Sequence, residues 1–102
     1  MVIKIKDLVG RCYSNEDGKI IFDVLNSALN NEKMIILSFK DVDSITSSFT
    51  NTAFIELLHE FDYDFIKKNL RIVDSNKYIN GMIKDRFTFE VNRINQNKLV
   101  LV

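Results

Sequence analysis

The stretch Lys33-Met34-Ile35-Ile36-Leu37-Ser38-Phe39, KMIILSF, decides the fold. It is an almost continuous apolar run. A strand with one wet face alternates apolar and polar residues, whereas a strand covered on both faces reads as an unbroken run. KMIILSF is therefore expected in the middle of a sheet with helices on both sides.

Helical periodicity flanks this run. Upstream, SNEDGKIIFDVLNSALNN (residues 14–31) places Ile20, Ile21, Val24, Leu25, Ala28 and Leu29 on one stripe. Ser14 is a preferred N-cap, Asp17 stands where the reciprocal capping pattern has Glu, and Glu16 and Asp17 favour the positive helix end. Asn30-Asn31 closes the helix. Gly18 inside it costs about 1 kcal/mol relative to Ala, which close packing against a strand would explain. Downstream, SSFTNTAFIELLHEF (residues 47–61) sets Phe49, Ala53, Phe54, Leu57, Leu58 and Phe61 at helical spacing, a second helix. Asp62 and Asp64 suit a last helical turn poorly. A break is expected near Asp62, with DYDFIKKN either an extension or a separate turn.

Further out, VIKIK (residues 2–6) reads as a strand with Ile3 and Ile5 on one face. DLVGRCY reads as strand continuation or loop, with a bend at Gly10. LRIVD is a short strand. SNKYINGMIKDRF is a third helix, capped by Ser75 or Asn76, with Tyr78, Ile79, Met82, Ile83 and Phe87 as its stripe. In TFEVNRINQNKLVLV, Phe89 and Val91 fit a strand or a frayed helix, and the final KLVLV reads as a strand. Strands alternating with helices imply right-handed crossovers and an α/β fold. The expectation is one domain, residues 1–102, with a mostly parallel or mixed four-stranded sheet and about three helices.

Composition narrows the function. Lys plus Arg and Asp plus Glu both number 14, so the net charge is zero. The cations are scattered, and Lys67-Lys68 reads as a solvated helix end. No nucleic-acid surface is expected, because such affinity comes from clustered cations. Cys12 is the only cysteine, which rules out an internal disulfide and suits a reducing cytoplasm. It reads as a packing residue. No apolar run approaches the roughly 18 residues of a membrane span. His59 lies eleven residues past Ser48; on one helix that is roughly 16 Å, too far for a nucleophile and its base. Asp41 and Asp43, with Asp23 elsewhere, read as solvated carboxylates rather than a metal site, and the isolated glycines make no phosphate loop. No cofactor and no catalytic residue are expected.

The chemistry-bearing stretch is DVDSITSSFTN, Asp41 to Asn51, directly after the buried run. Functional surfaces of α/β sheets lie beyond the carboxyl ends of their strands. Its hydroxyls suit helix capping, with Ser47 or Ser48 as N-cap, at a cost of about 1 kcal/mol if lost.

The phrase IILSFKDVDSITSSFTNTAFIELL resembles the STAS domain family, which includes the anti-sigma-factor antagonists and the cytoplasmic tails of sulfate transporters. It looks closest to small STAS-like bacterial proteins that carry an F-x-x-V-x-x-I-[ST]-S-S-F phrase before an amphipathic helix. That phrase is here Phe39, Val42, Ile45, Thr46, Ser47, Ser48 and Phe49. The resemblance covers roughly Ser14 to Phe87. It implies a STAS-like, non-enzymatic domain for regulatory protein–protein interaction. In the antagonists a serine at a helix start is phosphorylated by a kinase-type anti-sigma partner. By position that serine is Ser47, with Ser48 following. Thr46 stands where the antagonists have Asp, and Phe49 where they have Gly. The implied contact surface is Asp41, Asp43, Ser44, Thr46, Phe49 and Thr50. A small-ligand or nucleotide site in the same strand-end pocket, or a purely structural module, is the alternative. The apolar KLVLV would pair with the first strand or, by edge addition, with a second copy, giving a homodimer.

Overall fold

The computed structural model describes residues 1–100, the side chains of 97–100 excepted. Seven regular elements follow in order: β1 (Val2–Lys4), α1 (Asn15–Asn30), β2 (Ile35–Ser38), α2 (Ser47–Ala53), α3 (Tyr63–Asn69), β3 (Leu70–Val73) and α4 (Lys77–Val100). Short 3-10 turns occupy Ile5–Asp7 and Ile55–His59. The sheet is parallel throughout, with β2 between β1 and β3. Val2, Ile3 and Lys4 stand beside Ile36, Leu37 and Ser38, and Ile35 to Ser38 stand beside Leu70 to Val73.

The α/β class and the central place of KMIILSF hold. Two details differ. Among the described residues the sheet has three strands, not four, and there are four α-helices, not about three. The extra helix is α3, formed by DYDFIKKN, and the missing strand lies at the C-terminal end. Lys98 to Val100 of the expected KLVLV strand lie in α4, and Leu101 and Val102 fall outside the described residues. The helix continues because its apolar stripe continues: Ile83 and Phe87 are buried, and Val91 and Ile94 follow at helical spacing, both half-buried. Glu90 also bridges turns, accepting from Arg86 at 3.5 Å and Arg93 at 2.8 Å.

The second helix also differs from its expected form. It stops at Ala53 and re-forms as the Ile55–His59 turn. A 3-10 turn brings residues three apart onto one side, which keeps Phe54 and Leu57 both fully buried. The break near Asp62 is present, and DYDFIKKN becomes the separate helix α3.

The core fills one side of the sheet. Ile3, Ile35, Leu37 and Phe39 meet Ile21, Leu25, Leu29, Phe49, Phe54, Ile79 and Phe87. Phe54 is central, with ring centroids 6.4 Å from Phe39, 6.3 Å from Phe49 and 6.5 Å from Phe87. Gly18 is explained by a helix, not a strand. A Cβ there would sit 2.8 Å from Thr52 Cβ and 2.9 Å from the Phe49 carbonyl oxygen, so α1 and α2 approach closely only because Gly18 has none.

Candidate functional site

The join from β2 to α2 is anchored from several sides. The Phe39 amide donates to the Val73 carbonyl at 3.0 Å, prolonging the pairing with β3. Ser38 Oγ donates to Asp74 at 2.7 Å and accepts from the Lys40 amide at 3.2 Å. Asp41 then turns the chain in the left-handed region, φ 64°, which Asp tolerates better than most residues. Ile45 plugs the turn into the core at 2% exposure.

Thr46 caps α2. Its backbone is extended, and Oγ1 accepts from the Phe49 amide at 3.2 Å. The same hydroxyl donates to the Tyr13 carbonyl at 2.8 Å, while the Thr46 amide donates to the Cys12 carbonyl at 3.1 Å. The turn is thus stitched to the loop before α1. The Tyr13 and Ser44 hydroxyls also pair at 3.3 Å. On the other flank Asn76 caps α4 by accepting from the Ile79 amide at 2.8 Å, and its Nδ2 donates to the Asp43 carbonyl at 3.0 Å.

This geometry reassigns the hydroxyls. The cap is Thr46, not Ser47 or Ser48, because only Thr46 has the extended backbone of a capping residue. Ser47 and Ser48 occupy the first two helical positions, exposed, and their hydroxyls make no hydrogen bond among the described residues. Asp41 and Asp43 are also exposed, and Ser44 and Thr46 are half-buried. Phe49 and Thr50 do not belong to a contact surface: both are fully buried. Phe49 packs edge-on against Phe54, and Thr50 donates back to the Thr46 carbonyl at 2.8 Å.

A shallow cavity of about 280 Å³ lies beside the turn, with Lys6, Arg11, Tyr13, Asp41, Asp43 and Ser44 among its walls. Charges of both signs line it. Cys12 lies behind it at 2% exposure. Burial, with a smaller push from Asp17 and partial relief from Lys6, raises its thiol to about 11. The thiol stays protonated at neutral pH and acts as a packing group. His59 is at the far end of the 3-10 turn, paired with Glu56 at 3.2 Å and away from the serines. Lys67 and Lys68 end α3 as expected. Among the described residues no three of the His, Cys, Asp and Glu side chains converge as metal ligands, and no helix is long and apolar enough to cross a membrane.

The residues that sequence reasoning missed here are Tyr13 and Asn76 in their bridging roles. Asn76 stood out as a cap, but nothing in the pattern marks its reach to Asp43. The Tyr13 carbonyl is a backbone acceptor and leaves no trace in residue type.

A parallel three-stranded α/β domain with a hydroxyl-rich turn at its strand ends defines the class. Residues 17–80 match the model of a family described as a STAS-like domain of unknown function (DUF4325). The match covers well over half of the chain, which belongs to this family. No curated protein and no solved structure matches it.

Proposed function

We propose that this STAS-like domain is a non-enzymatic regulatory module that binds a protein partner through the Asp41–Ser48 turn. Its switch is phosphorylation of Ser47, with Ser48 as the second acceptor. The observation that carries the reading is the division of labour among the hydroxyls. Thr46 takes the capping bonds, and Ser47 and Ser48 stand exposed, their hydroxyls without a hydrogen bond among the described residues. The likeness to the anti-sigma-factor antagonists points to Ser47 and to an ATPase or kinase-type regulator as partner. Thr46 in place of their Asp retains an oxygen that can cap. A phosphate on this turn would add about two negative charges beside Asp41 and Asp43 and repel an acidic partner surface. The free, buried Cys12 suits a reducing cytoplasm, where we place the protein.

The test is tandem mass spectrometry of the protein purified from its host, with and without phosphatase, joined to partner recovery by the Ser47→Asp and Ser48→Asp variants. The reading expects phosphate on the peptide containing Ser47 and Ser48, and loss of partner with the Asp variants. An unmodified peptide together with unchanged recovery overturns it. The second reading, a small-ligand or nucleotide site, is favoured by the cavity beside the turn. A thermal shift with a nucleotide, abolished by Arg11→Ala, would select it.

A further inference from the structure

The strand order β1-β2-β3 is the order of the chain. Right-handed crossovers between successive parallel strands put every connecting helix on the same face of the sheet. Burial follows that rule. The inward set Ile3, Ile35 and Leu37 is buried, and Leu70 and Ile72 pack against the same core. Most of the outward set is not covered: Val2 is 67% exposed and Ile36 36%, Lys4 and Arg71 are exposed, and Val73 is half-buried; Ser38, held by Asp74 at the end of the face, is its one buried member. Met34, just before β2, is 61% exposed. Parallel sheets are seldom left bare on one face, because their strands are apolar on both.

Size and charge say what covers it. Three strands about 4.8 Å apart and three to four residues long present roughly 200 Å² of sheet, against the roughly 800 Å² per partner of a standard interface, so this face suits a single small element rather than a broad surface. A second copy of the chain is therefore a poor fit, while a single helix about 10 Å across spans the three strands. The charged strand residues on this face are both cations, Lys4 on β1 and Arg71 on β3, at opposite edges. Neither makes an ion pair or side-chain hydrogen bond among the described residues. The carboxylate at the end of β3, Asp74, is engaged by Ser38.

We infer that the bare face docks one amphipathic helix of a partner protein, its apolar stripe lying over Val2, Ile36 and Val73 and carboxylates on both its flanks meeting Lys4 and Arg71. This surface is separate from the Ser47 turn and would survive the failure of the switch proposed there.

The test uses a synthetic helical peptide of about 18 residues with a Leu stripe flanked by Glu, and its counterpart with Lys in place of Glu. Both are titrated into the isotope-labelled full chain and followed by amide chemical shifts. The Glu peptide is expected to shift Val2, Ile36 and Arg71 and to bind at least roughly tenfold tighter than the Lys peptide. Ile36→Asp should abolish the shifts at an unchanged thermal midpoint. The double variant Lys4→Glu with Arg71→Glu should reverse the preference between peptides, and it carries the test if Ile36→Asp misfolds. Shifts that are absent or map elsewhere, or equal affinity for both peptides, overturn the inference. So does a concentration-dependent mass of the free protein in sedimentation whose dilution moves the same amides, because a second copy would then be the occupant.

Discussion

The two faces of the sheet come from the same strands and differ in nearly everything else. Leu37 and Ile36 are neighbours in β2; one is fully buried and the other 36% exposed. The helix-covered face holds the aromatic centre Phe39–Phe54, and the bare face holds Lys4 and Arg71. Both sets look alike in KMIILSF, where Ile35, Ile36 and Leu37 are a single apolar run. Apolar character thus marks a strand interior, while topology decides which face is covered. A singly wound parallel sheet leaves one face to the solvent or to a partner.

The widest gap between the faces should appear on truncation. Phe54→Ala empties the centre of the covered side and should cost about 3–5 kcal/mol in urea unfolding. Ile36→Ala, on the bare side, should stay within about 0.5 kcal/mol. A large loss at Ile36 would mean that its face is covered in solution. Gly18→Ala comes next. The new methyl would meet Thr52 Cβ and the Phe49 carbonyl well inside contact distance. Forcing α1 from α2 should cost about 1–3 kcal/mol, against the usual gain of an Ala in a helix. Gly81→Ala is the internal control, because nothing lies within 4 Å of a Cβ there; it should stabilise.

Cys12 tests the covered side through pH. Its thiol is raised to about 11 in the fold, above its usual range near 9. A raised thiol contributes stability that is complete below the unfolded value and is lost as pH climbs through the folded one. Stability should therefore fall between about pH 9 and pH 11, and Cys12→Ala should flatten this slope in urea melts. A slope unaltered by the substitution would show that it does not come from Cys12.

Much of this inward pattern was legible in the sequence. Of the stripe Ile20, Ile21, Val24, Leu25, Ala28 and Leu29, all but Ile20, which is 43% exposed, pack into or against the core, and the cap Ser14 holds, with the Asp17 amide donating to Ser14 Oγ at 3.1 Å. The C-terminal segment was not, because Phe89 and Val91 also satisfy a two-residue period. What separates the readings is Val91 and Ile94 continuing from Ile83 and Phe87, with Glu90 between Arg86 and Arg93. The bare face was hidden because an apolar run cannot reveal whether helices lie on one side or two. At the turn, the serine pair drew the capping role by residue type. The backbone gave it to the residue one step earlier, whose hydroxyl also reaches Tyr13.

That reassignment yields the smallest effects and the finest version of the contrast, drawn within three consecutive hydroxyls. Thr46→Ala removes the acceptor of the Phe49 amide and the donor to Tyr13, and should cost about 1–2 kcal/mol. Ser47→Ala and Ser48→Ala remove exposed hydroxyls that have no partner among the described residues and should change stability by less than about 0.5 kcal/mol. A comparable loss at Ser47 would move the cap and tie that hydroxyl to the fold. A neutral result leaves both serines free of any folding role. Partner recovery by the same variants then reads function without a stability correction.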